Sequence, residues 1–554
     1  MEGIKEFINR RFKGQEPWQI ALKTACATTA LFGAGRVACD INEMGFGEYA
    51  LSIAKQTPFL KDIIENEMAK EGKKVGMSIT SKEVLEWPVN AQLPSKGVSR
   101  EDLMKDLAKW AEIERTKYGK GQVSGTVYHG EKDLYDFIAQ IYSLFCLSNP
   151  LHPSTFPFVQ KMESEVVSMT LNIFQAPTAD YCGVTTSGGT ESICMAMKAY
   201  RDQGYARGIR RPEIIACVTA HAAFDKAANY FGMKLVHIPS DSKHRIDLAK
   251  AKKAISRNTV VIVCSAPSYA QGTIDPVEEM ADIVSKAESQ WGYKIGLHVD
   301  CCLGGFLAPF VRLMPEYKLP KFDFSVPQVT SISADTHKYG YSPKGTSVLM
   351  FSSNELRRQM YFTAPKWTGG IYATPSMSGS RPGGLIAATW GTMMHMGMEG
   401  YMNASRAIME TATIIKEGVS KIPGLEVMGG PELSVVGIRS TNPELNIYAV
   451  GAAMGHDGGH EWELNMLQNP ACIHICCTYI HKGLGPKFVK EIQESVEHVL
   501  ANKEKYAKNS TVAIYGTTKV VPPSMVGELS KSFIDALFKL PEPQQADEEA
   551  KDGK

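Results

Sequence analysis

The sequence is short of the features that mark several large classes of protein. It has no surplus of one charge, since 60 Lys+Arg stand against 59 Asp+Glu. A chain organised around nucleic acid shows a basic excess, so that role is excluded. Its 12 cysteines contain no CxxC pair, and no Cys/His spacing matches a zinc site. Cys264, Cys301 and Cys302 lie in apolar runs and read as small hydrophobes of a chain kept in a reducing compartment. His456, His460, His474 and His481 have no carboxylate or thiol at a spacing that completes a metal geometry, so no metal site is expected. A repeat of fixed period, a Walker GxxxxGK[ST] loop and a secretory signal peptide are all missing.

Long hydrophobic runs are also missing. The nearest, Trp18–Gly35, is interrupted by Lys23, is rich in Ala and Thr, and falls short of the ~20 strongly apolar residues of a comfortable membrane span. It reads either as a weak anchor or as an amphipathic or buried helix. If it spans, the cluster Lys5, Arg10, Arg11 and Lys13 ahead of it favours a cytoplasmic N-terminus. What is present is enough apolar material for a large core: 44% hydrophobic and 21% charged residues over 554 positions. The stretch 541–554, PEPQQADEEAKDGK, is polar and reads as a solvated tail.

From Val184 to about Ser353 short β-rich runs alternate with helical stretches. The runs are EIIACVTA from Glu213, KLVHIPS from Lys234, TVVIVCSAPS from Thr259, KIGLHVD from Lys294 and VTSISAD from Val329. Between them lie the helix-like segments Thr190–Gln203, Phe224–Phe231, Leu248–Ile255 and Val277–Glu288. This alternation predicts an α/β fold with a mostly parallel sheet covered on both faces. KGTSVLMFS from Lys344 follows VTSISAD too closely for a parallel crossover and is expected to join the sheet antiparallel. LSVVGIRS from Leu433 opens a region that reads as a separate small α+β domain.

Active sites of open parallel sheets lie outside the carboxyl ends of the strands, and three unusual groups fall there. The turn Thr186-Ser187-Gly188-Gly189-Thr190-Glu191-Ser192 precedes an amphipathic helix. It reads as an anion cradle or as a plain structural cap. Asp300 ends KIGLHVD, where a buried carboxylate needs a partner; it is either a helix cap or the partner of a cationic ring nitrogen. Lys338 lies between a β-run and a glycine-containing turn with His337 beside it. A lysine is usually a solvated surface charge, but a desolvated one with a lowered pKa can form a Schiff base. Cradle, acidic strand tip and later lysine, in that chain order, are what a pyridoxal-phosphate enzyme of the aspartate-aminotransferase-like fold (fold type I) requires.

At these residues the chain resembles the sphingosine-1-phosphate lyases, from about Glu16 to Leu537. The resemblance rests on SGTVYHG from Ser124, SNPLHPSTFP from Ser148, TSGGTES from Thr186, AHAAFDKAANYFGMK from Ala220, HVDCCLGGF from His298, SISADTHKYGYSPKG from Ser331 and GGIYATPSMSGSRPGG from Gly369. It implies pyridoxal 5'-phosphate as cofactor, with Lys338 as the Schiff-base lysine, Asp300 on the pyridine nitrogen and His221 stacked on the ring. Gly189, Thr190 and His337 are expected to hold the cofactor phosphate, joined by Ser380 from a partner subunit. Tyr128, Asn149, His152 and Lys344 match positions near the substrate's phosphate and amino-alcohol head, and Tyr269 a pocket tyrosine. Lys344 is the first candidate for general base and Tyr269 the next.

The implied reaction is retro-aldol cleavage of a phosphorylated sphingoid base to a long-chain aldehyde and phosphoethanolamine, the last step of sphingolipid degradation. It would be performed by a homodimer at the endoplasmic reticulum membrane with its catalytic domain in the cytosol. The expected division is an N-terminal segment with the candidate anchor over 1–60, an arm serving dimer and active site over 61–165, a large cofactor domain over 166–400, a small C-terminal domain over 401–541 and a disordered tail over 542–554. Three departures from the family pattern are visible. Cys301 replaces a small residue after the aspartate, Lys366 stands where an acidic residue is expected, and the N-terminal run is weakly apolar with a charge asymmetry opposed to the family's topology. A pyridoxal-phosphate amino-acid decarboxylase and a membrane-tethered non-catalytic scaffold are the alternative readings.

Overall fold

The computed structural model describes residues 82–507 and 523–540. The candidate anchor Trp18–Gly35 and the tail from 542 lie outside the described residues, and no described helix is long and apolar enough to cross a membrane. The chain divides into two compact units, 107–512 and a second made of 1–106 with 513–554. In the second, the described elements are the helix Lys82–Leu85, the start of the helix Arg100–Tyr118 and the helix Pro523–Leu537.

The unit 107–512 is built on a seven-stranded sheet. Its strands are β1 (Cys182–Thr186), β2 (Glu213–Cys217), β3 (Lys234–Ile238), β4 (Thr259–Ser265), β5 (Gly296–Asp300), β6 (Ser331–Ala334) and β7 (Ser347–Phe351). The spatial order is β1-β7-β6-β5-β4-β2-β3. Strands β2 to β6 pair in parallel. β7 runs antiparallel to both β6 and β1, as the short connection after VTSISAD demands. Every residue of the β-branched run in β4 is buried, because helices cover both faces of a parallel sheet. Three of those helices are Gly189–Ala206, Ala223–Phe231 and Val277–Trp291. The last two end on glycines in the left-handed conformation, Gly232 (φ 63°) and Gly292 (φ 73°), which no β-carbon obstructs.

A hairpin follows, β8 (Phe362–Ala364) with β9 (Tyr372–Thr374). The long helix Gly383–Val419 then breaks its regular geometry at Gly397, where φ is 52°. A second, antiparallel sheet contains β10 (Leu425–Val427), β11 (Val435–Ser440), β12 (Asn465–Leu467) and β13 (Cys472–Cys476), in the order β10-β11-β13-β12. The run LSVVGIRS therefore forms a strand of a sheet separate from the large one. The cysteines of the described residues are free thiols, buried except Cys146. Cys301 Sγ bonds the carbonyl of Ala266 at 3.0 Å, so the thiol is absorbed into the core beside Asp300.

Two features of the parallel strands place the chemistry. Alternation along a strand puts Gly296, His298 and Asp300 on one face of β5, and Ser331 and Ser333 on one face of β6. Register then sets His298 beside Ser331 and Asp300 beside Ser333. The helix Gly189–Ala206 approaches Gly296 so closely that a β-carbon there would lie 2.2 Å from the ring of Tyr200.

Candidate active site

The turn between β1 and the helix Gly189–Ala206 is shaped by glycine. Gly188 has φ 149° and carries no side-chain cap. Gly189 has no room for any side chain: a β-carbon would meet Cys302 Sγ at 2.8 Å and both carboxylate oxygens of Asp335 at 2.9 Å. The turn is braced from outside by Glu191, which accepts from the Ser187 amide at 2.7 Å and the Met377 amide at 3.0 Å. The first amides of an 18-residue helix and its dipole therefore face the space ahead of Gly189.

That space is a cavity of about 270 Å³ whose walls include Gly188, Thr190, His221, Cys302, His337 and Lys338. Lys338 Nζ lies 2.9 Å from Asp335 Oδ2, and His337 Nε2 lies 3.6 Å from the same oxygen. Asp335 is buried, and its Oδ1 has no hydrogen-bond partner among the described residues. The sequence pattern anticipated a lysine whose pKa falls through desolvation. Burial does push Lys338 down, but the Asp335 carboxylate outweighs it and holds the ammonium above the ordinary lysine range. His337 is pushed down by burial, and its Nδ1 faces the Thr346 backbone, whose amide donates to it at 3.3 Å.

Asp300 is buried at the tip of β5. It accepts from the Cys302 amide at 3.0 Å and the Ser333 hydroxyl at 3.1 Å. Burial alone would raise its pKa, but the nearby His221, the Cys302 thiol, His298 and the Cys302 amide hold the carboxyl below its usual value. His221 sits in the turn after β2, with its Nδ1 accepting from the Ala223 amide at 3.1 Å.

A second cavity of about 260 Å³ contains Tyr128, His337, Tyr341 and Lys344. Lys344 Nζ lies 4.7 Å over the Tyr128 ring, which meets Tyr339 edge-on at 5.0 Å. Burial and the positive charge of Lys338 lower the Lys344 pKa, as a proton acceptor requires. Tyr128 is pushed well above the ordinary phenol value by burial. Tyr269 is exposed, packs its ring edge against His474 at 4.8 Å and bears electrostatically on Tyr128, but it is not among the residues lining the Lys338 cavity. Asn149, His152 and Ser380 are not among the residues lining the cavity of Lys338 in the same chain. Asn149 Nδ2 donates to Ser380 Oγ at 3.0 Å, and its Oδ1 accepts from Leu151 at 3.0 Å. His152 is exposed in the turn ahead of the helix Pro157–Ile173.

The chain matches the pyridoxal-dependent decarboxylase conserved domain over residues 88–440. It is 40% identical to sphingosine-1-phosphate lyase 1 of Rattus norvegicus over 541 residues, 96% of this chain and 92% of that protein. It is also 40% identical to sphingosine-1-phosphate lyase of Dictyostelium discoideum over 536 residues, covering 96% and 97%. The chain belongs to the sphingosine-1-phosphate lyases of the pyridoxal-dependent decarboxylase family. Among solved structures, sphingosine-1-phosphate lyase of Burkholderia pseudomallei superposes with a TM-score of 0.72 at 38% identity, covering 77% of this chain and 97% of that one. The fold is accordingly that of the fold type I pyridoxal-phosphate enzymes.

The residues present fit the family's cofactor, pyridoxal 5'-phosphate. The helix N-terminus behind Gly189 suits a phosphate, Lys338 offers an amine, and the ionised Asp300 suits a cationic ring nitrogen. Asp335 escaped the sequence reading although it stands three residues before Lys338 in ADTHK. An acid at that offset from a lysine in a turn was the available signal. Because the Lys338 pKa is raised, the pair's contribution to stability is complete below the unfolded lysine value of ~10.4 and fades only as the pH climbs through the elevated folded value. Asp335→Asn is predicted to lower by about one pH unit or more the midpoint at which Lys338 becomes reactive to an amine-directed reagent. Peptide mass spectrometry of the labelled protein across pH measures this; an unchanged midpoint would show that the pair does not set the lysine's charge.

Proposed function

We propose that the chain cleaves phosphorylated sphingoid bases between C2 and C3, releasing a long-chain aldehyde and phosphoethanolamine. The single observation that carries this is near-full-length identity to curated sphingosine-1-phosphate lyases combined with the cavity that joins Gly189, His221 and Lys338. When bound, pyridoxal phosphate supplies an electron sink for the pair left on C2. The residues of the chain do the rest. Amides of the Gly189 turn and Thr190, with His337, hold the cofactor phosphate. Lys338 would hold the cofactor through its amine. Asp300 would keep the ring nitrogen cationic, and His221 would stand over the ring.

Lys344 takes the proton of the C3 hydroxyl, a role its lowered pKa supports, and a proton returned to C2 after the aldehyde leaves completes phosphoethanolamine; general-base help of this kind is commonly worth roughly 10²–10⁴-fold. Tyr269 is the second candidate. Tyr128, Asn149 and His152 take the substrate's phosphate and amino-alcohol head. Ser380 and the loop of Tyr128 serve the neighbouring copy of a homodimer. This is supported by Ser380 and Tyr128 lying outside the lining of the Lys338 cavity of their own chain. The proposed division remains an N-terminal segment over 1–60, an arm over 61–165, a cofactor domain over 166–400 and a small domain over 401–541. Endoplasmic reticulum membrane attachment through Trp18–Gly35, with the catalytic part facing the cytosol, is the corresponding proposal for location. The decarboxylase alternative is not favoured, since the curated relatives that cover nearly the whole chain are lyases.

Purified dimer loaded with pyridoxal phosphate is expected to release aldehyde and phosphoethanolamine from sphingosine 1-phosphate, and no carbon dioxide from glutamate or aromatic amino acids. The opposite pattern would overturn the assignment. Tyr128→Phe and His152→Ala are expected to lower turnover of the phosphorylated substrate about tenfold or more while leaving bound cofactor unchanged. Loss of cofactor in either variant, read by absorbance after desalting, would contradict their placement on the substrate.

A further inference from the structure

Behind Asp300 lies a line of buried polar groups with no solvent contact. Tyr200 Oη is 2.6 Å from Ser331 Oγ, which is 2.7 Å from His298 Nδ1. His298 Nε2 is 3.2 Å from Ser333 Oγ, which is 3.1 Å from Asp300 Oδ1. Tyr200, His298, Ser331 and Ser333 are each 0% exposed. The line is a product of register: two cross-strand pairs on one face of β5 and β6, closed at the far end by a tyrosine that fits only because position 296 is glycine.

The direction of every proton follows from its end. Asp300 is held ionised and can only accept, so Ser333 donates to it. The Ser333 oxygen then accepts from His298 Nε2–H. Burial pushes His298 down to about 4, so the ring is neutral and its Nδ1 must accept, from Ser331. Ser331 in turn accepts from Tyr200, whose phenol is pushed up to about 12 by burial and so keeps its proton; with that proton given to Ser331, the Tyr200 oxygen accepts from Thr330 Oγ1 at 2.7 Å. All four hydrogen bonds point the same way, toward the carboxylate, and aligned bonds strengthen one another.

We infer that Tyr200, Ser331, His298 and Ser333 form a one-directional hydrogen-bond relay that keeps Asp300 ionised and aimed, making them positioning residues for the cofactor's ring nitrogen. The inference rests on the proposed pairing of Asp300 with that nitrogen. It adds a means of holding the carboxylate's charge that introduces no second charge into the sheet. The other groups bearing on Asp300 are His221 from the turn after β2, the Cys302 amide, the thiols of Cys301 and Cys302, and the Lys338–Asp335 pair beyond β6. Of these, the Cys302 thiol also bonds Ser333, so a cut at Tyr200 separates the relay from it.

A carboxylate with a depressed pKa loses its stabilising role as the pH falls through the folded value, so weakening the relay moves that loss to higher pH. The test is acid titration of the holoenzyme, following bound pyridoxal phosphate by its visible absorbance. Ser333→Ala is expected to raise the midpoint of cofactor release by about one pH unit, Tyr200→Phe to raise it by a smaller amount, and Ser333→Thr to leave it in place. In an Asp300→Asn background, Ser333→Ala is expected to add no further shift. A general packing role would lower thermal stability at every pH without moving the midpoint. Unmoved midpoints in Ser333→Ala and Tyr200→Phe, with Asp300→Asn displaced, would overturn the relay alone. An unmoved midpoint in Asp300→Asn would overturn the pairing on which it rests.

Discussion

A lysine amine that must react cannot be left at the surface, and a buried ammonium cannot be left alone. The contact of Lys338 with Asp335 resolves that conflict, and the rest of the site is arranged around it. Removing one partner of a buried pair costs roughly 3–5 kcal/mol in typical cases. The pair therefore fixes where the turn after β6 can lie. The same carboxylate stands so close to Gly189 that the turn proposed to hold the phosphate has no room for a side chain there. One carboxylate thus couples the proposed covalent anchor to the anion cradle across the sheet.

The opposing charges are kept apart by the order of the strands. Asp300 ends β5, Lys338 follows β6, and the cradle follows β1, which reaches β6 only through β7. The negative carboxylate and the positive helix N-terminus thereby lie at separate points along the carboxyl ends of the strands, as the two ends of a zwitterionic cofactor would require. A chain with 60 basic and 59 acidic residues has no global field with which to attract a phosphate. On the proposed cofactor placement the anion would be left to a few amides, one histidine and one helix dipole, which suffices for a small phosphate held at short range.

The β-runs of the large sheet were legible because their apolar, β-branched stretches are bounded by turns, and the antiparallel entry of β7 followed from connection length alone. Gly189, Asp300 and Lys338 were legible as types at strand ends. Two things were not. The raised pKa of Lys338 depends on a carboxylate three residues away whose direction is set only once the turn is folded. The Tyr200–His298–Asp300 line depends on cross-strand register, which no spacing along a single strand reveals. Asn149, His152 and Ser380 were placed by resemblance, and within one chain they bond to one another or face solvent. Residues of exposed turns such as these carry no periodicity by which a role could be read from sequence.

The central claim is that Lys338, held by Asp335 at the mouth of the Gly189 turn, carries the cofactor. Reduction of the pyridoxal-phosphate-loaded protein with borohydride, followed by peptide mass spectrometry, tests it most directly. The account predicts a single stable pyridoxyl group on Lys338. A group on Lys344, or no covalent group on either lysine, would contradict it.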